Sequence, residues 1–216
     1  MLGGKVRTSP LFWRLVGIAT GDIEYDGRGV TNKNAKVLTL FHRYAMWVIG
    51  YRAVKRRGRR IRVLGRVGSI LEQAVRECKH GELPKDDECF WQFVTGLYEA
   101  DGWATIHCKK ENGRVYPKVG LGLSPDEELL ARALVRRLRD YGIEARLEWR
   151  DEINVILAPS SSYKLHEFLK NPVVRNPMRP ESFEGTRTKP ETVGILARLF
   201  EERFAGERAT PPPVTL

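Results

Sequence analysis

The sequence predicts an α+β protein built from two copies of one αββαββα unit, and three observations carry that reading. The stretch Leu15-Val16-Gly17-Ile18-Ala19-Thr20-Gly21-Asp22 returns in kind as Val94-Thr95-Gly96-Leu97-Tyr98-Glu99-Ala100-Asp101, 79 positions later. Each copy is apolar over the length of a helix, has small residues four apart, and ends on an aspartate. Behind each copy, runs with period-two alternation are separated by capped helical segments, the pattern of hairpins that alternate with helices.

The second half is the easier to read. Phe90 to Gly102 is a helix, and Trp103 to Lys110 and Arg114 to Ser124 are strands joined at Glu111-Asn112-Gly113, where Asn-Gly supplies the positive φ of a hairpin turn. Ser124-Pro125-Asp126-Glu127 opens the next helix with a serine cap, a proline in the first turn and a capping-box glutamate. That helix ends at Tyr141-Gly142. Ile143 to Arg150 alternates apolar and charged residues, as a strand with one buried and one wet face does. Asp151 to Ala158 is its partner, and Ser162 to Lys170 is the closing helix.

The first half repeats this order with a shorter first hairpin. Leu11 to Asp22 is the helix, Ile23 to Thr31 a hairpin turning near Asp26-Gly27, and Asn32 caps a helix that runs to about Ile49. Arg52 to Arg57 and Arg59 to Arg66 pair around Gly58, and Ser69 to Lys79 is the last helix. His80 to Glu88, with Pro84 and four acids, reads as a linker. The first unit and linker therefore span residues 1–88, the second unit 89–171, and a C-terminal extension 172–216. In that extension the prolines at 172, 177, 180 and 190 predict an extended wrap, followed by a helix from Glu191 to Phe204 and a disordered tail from Pro211.

At 216 residues the chain has the size of one compact domain or of two half-domains that share a core. The formal charge of +10, from 37 Lys and Arg against 27 Asp and Glu, attracts a polyanion such as nucleic acid. The three cysteines, Cys78, Cys89 and Cys108, lack paired zinc-site spacing and read as reduced, structural thiols. With no secretory signal pattern and no apolar run near the ~18 residues of a membrane span, the expected protein is soluble and intracellular, cytoplasmic or organellar. His42, His80, His107 and His166 are scattered without catalytic or zinc spacing. Trp13, Trp47 and Trp91 read as core, and Trp103 follows the second motif closely enough to pack near its aspartate.

Gly17 and Gly21, like Gly96 and Ala100, put small residues on one helix face, so the two helices can approach backbone to backbone. Packed in parallel, they deliver Asp22 and Asp101 side by side. Two carboxylates at the negative ends of two helix dipoles repel, and a hard cation resolves the conflict. Mg²⁺ takes one or two carboxylates, with waters and phosphate oxygens completing its octahedron. A metal so held activates water and stabilises the oxygen that leaves a phosphodiester.

These stretches, and the element order behind each, resemble the paired motifs of the LAGLIDADG homing endonucleases in their monomeric, two-repeat form. The resemblance covers residues 11 to 171. It implies the LAGLIDADG fold, with a saddle of antiparallel strands, and a monomer that cuts both strands of a long asymmetric double-stranded DNA target to leave short 3′ overhangs. It implies that Asp22 and Asp101, at the eighth motif position, share two or three Mg²⁺ ions, for which Mn²⁺ or Ca²⁺ can substitute. Ile23 stands where the family has glycine, and Thr20 where an acid is common; the second copy has Glu99 there. Asn32 and Ser124 match the polar position that ends the second strand of each half and holds water or metal, and both are also plain helix caps. Arg66 matches a basic residue near the end of the fourth strand that assists the phosphate, with Lys164 a shifted counterpart. Two alternatives share the fold: an RNA-splicing maturase that acts on its own intron RNA, and a DNA-binding protein that has lost cleavage.

The saddle's concave side lies in the DNA major groove in that family, and strand parity names the side chains that face it. In the second half these are Thr105, His107, Lys109, Arg114, Tyr116, Lys118, Glu144, Arg146, Glu148, Arg150 and Asn154, a mixture of donors and acceptors suited to base edges. In the first half, Arg28 joins a run with eight basic residues and no acid: Arg52, Lys55, Arg56, Arg57, Arg59, Arg60, Arg62 and Arg66. That run suits phosphate contact, which gives affinity and salt dependence but little sequence information.

Overall fold

The computed structural model describes residues 6–22, 28–32, 35–109 and 114–158, with Ser161 and Leu165. The elements in chain order are α1 (Pro10–Gly21), β1 (Gly29–Thr31), α2 (Ala35–Ile49), a 3-10 turn (Tyr51–Ala53), β2 (Val54–Arg57), β3 (Arg60–Val63) and α3 (Gly65–Lys79). The second half follows as α4 (Asp87–Asp101), β4 (Gly102–Lys109), β5 (Arg114–Leu123), a 3-10 turn (Pro125–Glu127), α5 (Glu128–Asp140), β6 (Ala145–Trp149) and β7 (Ile153–Leu157). The strand expected at Ile23 with its Asp26-Gly27 turn, the Asn112-Gly113 turn, nearly all of the helix expected over 162–170 (Lys164 and His166 included) and the extension 172–216 lie outside the described residues.

A helix that is apolar all round belongs in the interior. α1 is such a helix, buried from Phe12 through Thr20, and α4 is buried from Cys89 through Glu99. They run parallel, since successively later residues of α1 meet later residues of α4: Gly17 lies against Phe93 and Leu97, and Gly21 against Ala100 and Asp101. The contact is backbone on backbone. A Cβ at Gly17 would sit 2.8 Å from the Leu97 nitrogen and overlap the Phe93 carbonyl oxygen; one at Gly96 would sit 3.0 Å from the Ile18 nitrogen and overlap the Arg14 carbonyl oxygen. The obstructing atoms are main chain and cannot turn aside. Gly96→Ala should therefore cost about 2–3 kcal/mol, a fall of roughly 5–10 °C in Tm by thermal denaturation, despite alanine's better helix propensity.

Each half lays a sheet beside this helix pair. The first sheet has the order β1-β3-β2 and the second β4-β5-β7-β6, with every pairing antiparallel. One face of each is apolar. Val30, Val54, Ile61 and Val63 turn toward α2 and α3, and Val119, Leu121, Leu123, Ala145, Ile153, Val155 and Leu157 join the core with α4 and α5. Among the described residues, no helix is long and apolar enough to cross a membrane.

Several boundaries differ from the sequence expectation for local reasons. α4 begins at Asp87 rather than Phe90, because the Asp86 carboxylate accepts the Cys89 N–H at 2.9 Å. That hydrogen bond holds the Asp86 carboxyl below its usual range. Asp87 and Glu88 then lie in the first turn, where the dipole favours acids, so three of the four linker acids belong to a helix start. α3 begins at Gly65 rather than Ser69, because the ladder ends where Val63 pairs with Val54. Trp13 and Trp91 are buried as expected, but Trp47 is 69% exposed, its ring set edge-on to that of Tyr44 at 6.0 Å on the outer side of α2. Cys78 and Cys89 are free and buried; burial pushes the Cys89 thiol up to about 12 and Cys78 higher still, the condition of inert structural thiols.

Candidate metal centre and nucleic-acid interface

The parallel helices end together. Gly21 is where they touch last: a Cβ there would lie 2.7 Å from the Ala100 Cβ and overlap the Asp101 Oδ2, so the missing side chain is what lets that carboxylate sit against the end of α1. Asp22 follows immediately. Its N–H closes α1 on the Ile18 carbonyl at 3.0 Å, and its Oδ2 accepts a short hydrogen bond from Asn32 Nδ2. The Asp22 carbonyl in turn accepts the Thr31 N–H at 3.2 Å, tying β1 to the helix end. Asn32 is thus brought to Asp22.

Ser124 opens the corresponding segment of the second half. Its N–H donates to Glu127 Oε2 at 3.0 Å, and Glu127 also takes Lys79 Nζ at 2.7 Å, so this corner is fastened to α3. Arg66 is exposed in the first turn of α3, beyond the end of β3, and not on the fourth strand of the first half as expected.

The donor set suits a hard cation. Two carboxylates stand at the carbonyl ends of α1 and α4, where dipole and mutual repulsion both disfavour them without a counter-charge. Among the described residues no group of three or more His, Cys, Asp and Glu gathers to enclose a metal. An open site with few protein ligands leaves positions for water and phosphate, which is how Mg²⁺ is usually held.

Register decides which strand residues share a face, because directly opposed residues point the same way. In the second sheet Thr105 pairs with Lys118, His107 with Tyr116 and Lys109 with Arg114, so these six lie on one face, as parity predicted; their side chains lie outside the described residues. Glu148 opposes Asn154, and Arg146 opposes Ile156. Arg146 Nη2 and Glu148 Oε1 form an ion pair at 2.6 Å along β6. Glu144 is exposed just before β6, and Arg150 is exposed in the turn beyond it.

Asn154 departs from expectation in being only 8% exposed. The Trp103 indole covers it, Nε1–H donating to Asn154 Oδ1 at 3.1 Å, while the ring lies over Gly120, where a Cβ would come within 2.7 Å of Cζ2. Trp103 therefore packs two residues from Asp101 on the polar face of the sheet, close to where the sequence placed it.

In the first sheet, Lys55 opposes Arg62, which also opposes Gly29, and Arg57 opposes Arg60, which also opposes Thr31. Four cations thus occupy one face of a short hairpin as two like-charged cross-strand pairs. Such pairs destabilise a sheet unless an anion lies over them. Arg56 has the opposite parity and is exposed near the hairpin tip, Arg59 is in the turn, and Arg52 is in the 3-10 turn beside Tyr51. Arg28 shares the parity of buried Val30 and reaches back to Glu72 of α3 at 2.9 Å, so it stands on the helix side of the sheet and not on the expected basic face.

Two features escaped the sequence reading. The Arg57–Arg60 tip is joined to the centre, since the Asn32 N–H donates to the Arg59 carbonyl at 3.3 Å. Arg14 and Glu99, 3% and 1% exposed, form a two-pronged ion pair across the helix interface at 2.6 and 3.1 Å. A lone arginine in one apolar helix and a glutamate inside the apolar stretch of the other were the available signal.

Two half-domains joined through a parallel helix pair, each helix ending in an aspartate beside a sheet, define the LAGLIDADG fold. The chain is similar to the crystal structure of I-DmoI in complex with DNA and Ca, with a TM-score of 0.51 at 15% identity over 82% of this chain and 95% of that one. It is similar also to mesophilic variants of the homing endonuclease I-DmoI, with a TM-score of 0.53 at 14% identity over the same shares, 82% and 95%. A looser likeness, TM-score 0.40 at 14% identity, joins 78% of this chain to 89% of the N-terminal LAGLIDADG domain of DUF199/WhiA. No family model matches the sequence, and no curated protein matches it.

Proposed function

We propose that this protein is a site-specific, divalent-metal-dependent endonuclease that hydrolyses one phosphodiester in each strand of a long double-stranded DNA target and leaves short 3′ overhangs. The observation that carries this reading is the meeting of Gly21 with the Asp101 carboxylate, which brings the acidic ends of α1 and α4 to one place. Asp22 and Asp101 would hold the metal, which activates water and stabilises the departing 3′ oxygen when bound. Asn32 fixes the Asp22 carboxylate through its amide. The hairpin face of Lys55, Arg57, Arg60 and Arg62 grips phosphates, and the face carrying Thr105, His107, Lys109, Arg114, Tyr116 and Lys118 reads bases. I-DmoI, similar in fold, has been crystallised with DNA and Ca, which supports a duplex and a divalent cation as ligands here.

The test is cleavage selection from a randomised duplex library in Mg²⁺. The expected result is recovery of one asymmetric sequence, cut in both strands with 3′ extensions. Selective duplex binding with no cleavage in Mg²⁺ or Mn²⁺ would overturn the nuclease reading in favour of a DNA-binding protein. Acceleration of intron splicing without DNA cleavage would favour a maturase.

A further inference from the structure

The two halves place opposite charges in corresponding turns, β2–β3 and β6–β7, beside the candidate metal centre. In the first half the β2–β3 tip, Arg57-Gly58-Arg59-Arg60, is held against the end of β1: Arg60 opposes Thr31, and the Asn32 N–H donates to the Arg59 carbonyl at 3.3 Å. Thr31 and Asn32 both bond to Asp22, so a short chain of hydrogen bonds connects the tip to the aspartate. Arg57, Arg59 and Arg60 are all exposed, and Arg57 and Arg60 face each other on the sheet side away from Val30 and Ile61.

In the second half the β6–β7 tip, Arg150-Asp151-Glu152, occupies the corresponding place. Ile153 opposes Leu123, the residue before Ser124, and Asn154 opposes Gly122. The turn closes through the Arg150 N–H on the Glu152 carbonyl at 3.0 Å. Glu152 lies over β5, its Oε2 3.0 Å from where a Gly122 Cβ would stand, and accepts from Asn154 Nδ2 at 3.4 Å. Three guanidiniums therefore flank one side of the centre, and two carboxylates with one arginine flank the other.

We propose that these tips make the two strands of a bound duplex unequal: Arg57 and Arg60 hold the central phosphate of the strand that crosses the first half, Asp151 and Glu152 repel its counterpart, and the first of these strands is cut first. The inference rests on the duplex-binding part of the reading above. A guanidinium pair clamps a phosphate with charge-assisted hydrogen bonds and stabilises charge that builds on it. A carboxylate in the turn beside the matching phosphate does the reverse.

The experiment uses the full-length protein and its selected target, with binding measured in Ca²⁺ so that it does not depend on cleavage. Three duplexes are compared: unmodified, and with a neutral methylphosphonate at the central position of one strand or of the other. Neutralising the strand over the first half should weaken binding about tenfold or more, the size of one charged hydrogen bond, whereas neutralising the other should leave affinity unchanged or raise it. The double variant R57Q/R60Q should erase that difference, a result that general loss of stability would not produce. In Mg²⁺, a supercoiled plasmid should pass through a nicked form cut in the first strand, and D151N/E152Q should speed cutting of the second. Equal losses for both methylphosphonates, or no duplex binding, would overturn the proposal. The predicted inequality in binding with no cut in either strand would sustain the unequal grip on the two strands and overturn the nuclease reading, and with it the order of cutting.

Discussion

Asp101→Asn is expected to lower the rate of target cleavage by at least about 10³-fold, which is about 4 kcal/mol of transition-state stabilisation, and Asp22→Asn by a similar factor. The substitution keeps the shape of the side chain that fits against Gly21 and removes its charge. Without metal the variants should therefore fold as well as the parent or slightly better, since repulsion between like charges at two negative helix ends is relieved. Adding Mg²⁺ should raise the Tm of the parent, because a cation that binds only the folded state stabilises it by mass action, and should raise that of either variant much less. Single-turnover cleavage and thermal melting with and without Mg²⁺ check both parts. Wild-type cleavage by either variant would remove its aspartate from the chemistry, and an unchanged Mg²⁺-induced Tm shift would remove it from the metal site. Asn32→Ala should act more mildly, since it frees the Asp22 carboxylate to rotate without removing it.

What the sequence made legible is what repeats or alternates. The motif copies were readable because burial of α1 and α4 on all sides demands apolar residues, and close approach demands Gly17, Gly21 and Gly96. Parity placed Thr105 with Lys118 and His107 with Tyr116, because a one-residue slip would turn Val119 and Leu121 to the solvent. Ends were harder. Where a ladder stops depends on which residues find partners, so Arg66 passed from a strand to a helix and Arg28 turned to Glu72. Asp86 was read as a linker residue because its capping role depends on the Cys89 N–H that it meets. Asn154 looked like a base reader and is instead bound by Trp103, a partner 51 positions away that local pattern cannot supply.

The Arg14–Glu99 pair sets the second large expectation, on stability. Thr20 occupies in the first motif the position that Glu99 holds in the second, and its Oγ1 donates back to the Val16 carbonyl at 2.8 Å, so the interface carries one ion pair and not two related by the repeat. Arg14 is otherwise held by Gln92 Oε1 at 3.4 Å and by the Tyr44 ring at 5.1 Å. Burial raises the Tyr44 pKa against the opposing influence of Arg14, which keeps that phenol neutral beside the guanidinium. Glu99→Ala would leave the cation buried without its carboxylate, at a cost of about 3–5 kcal/mol and a Tm lower by roughly 10–15 °C. Arg14→Met would strand the carboxylate at similar cost. The double variant Arg14→Met/Glu99→Leu should lose less than either single one, because well-packed apolar side chains can replace a buried ion pair with little loss. Urea unfolding of the four proteins gives the coupling directly, and additive losses would show that the pair does not act as a unit. With the charges gone, the backbone contacts at Gly17, Gly21 and Gly96 would still set the register of the helices. The double variant should therefore keep most of its cleavage as well as most of its stability, because Asp22 and Asp101 still end the same two helices.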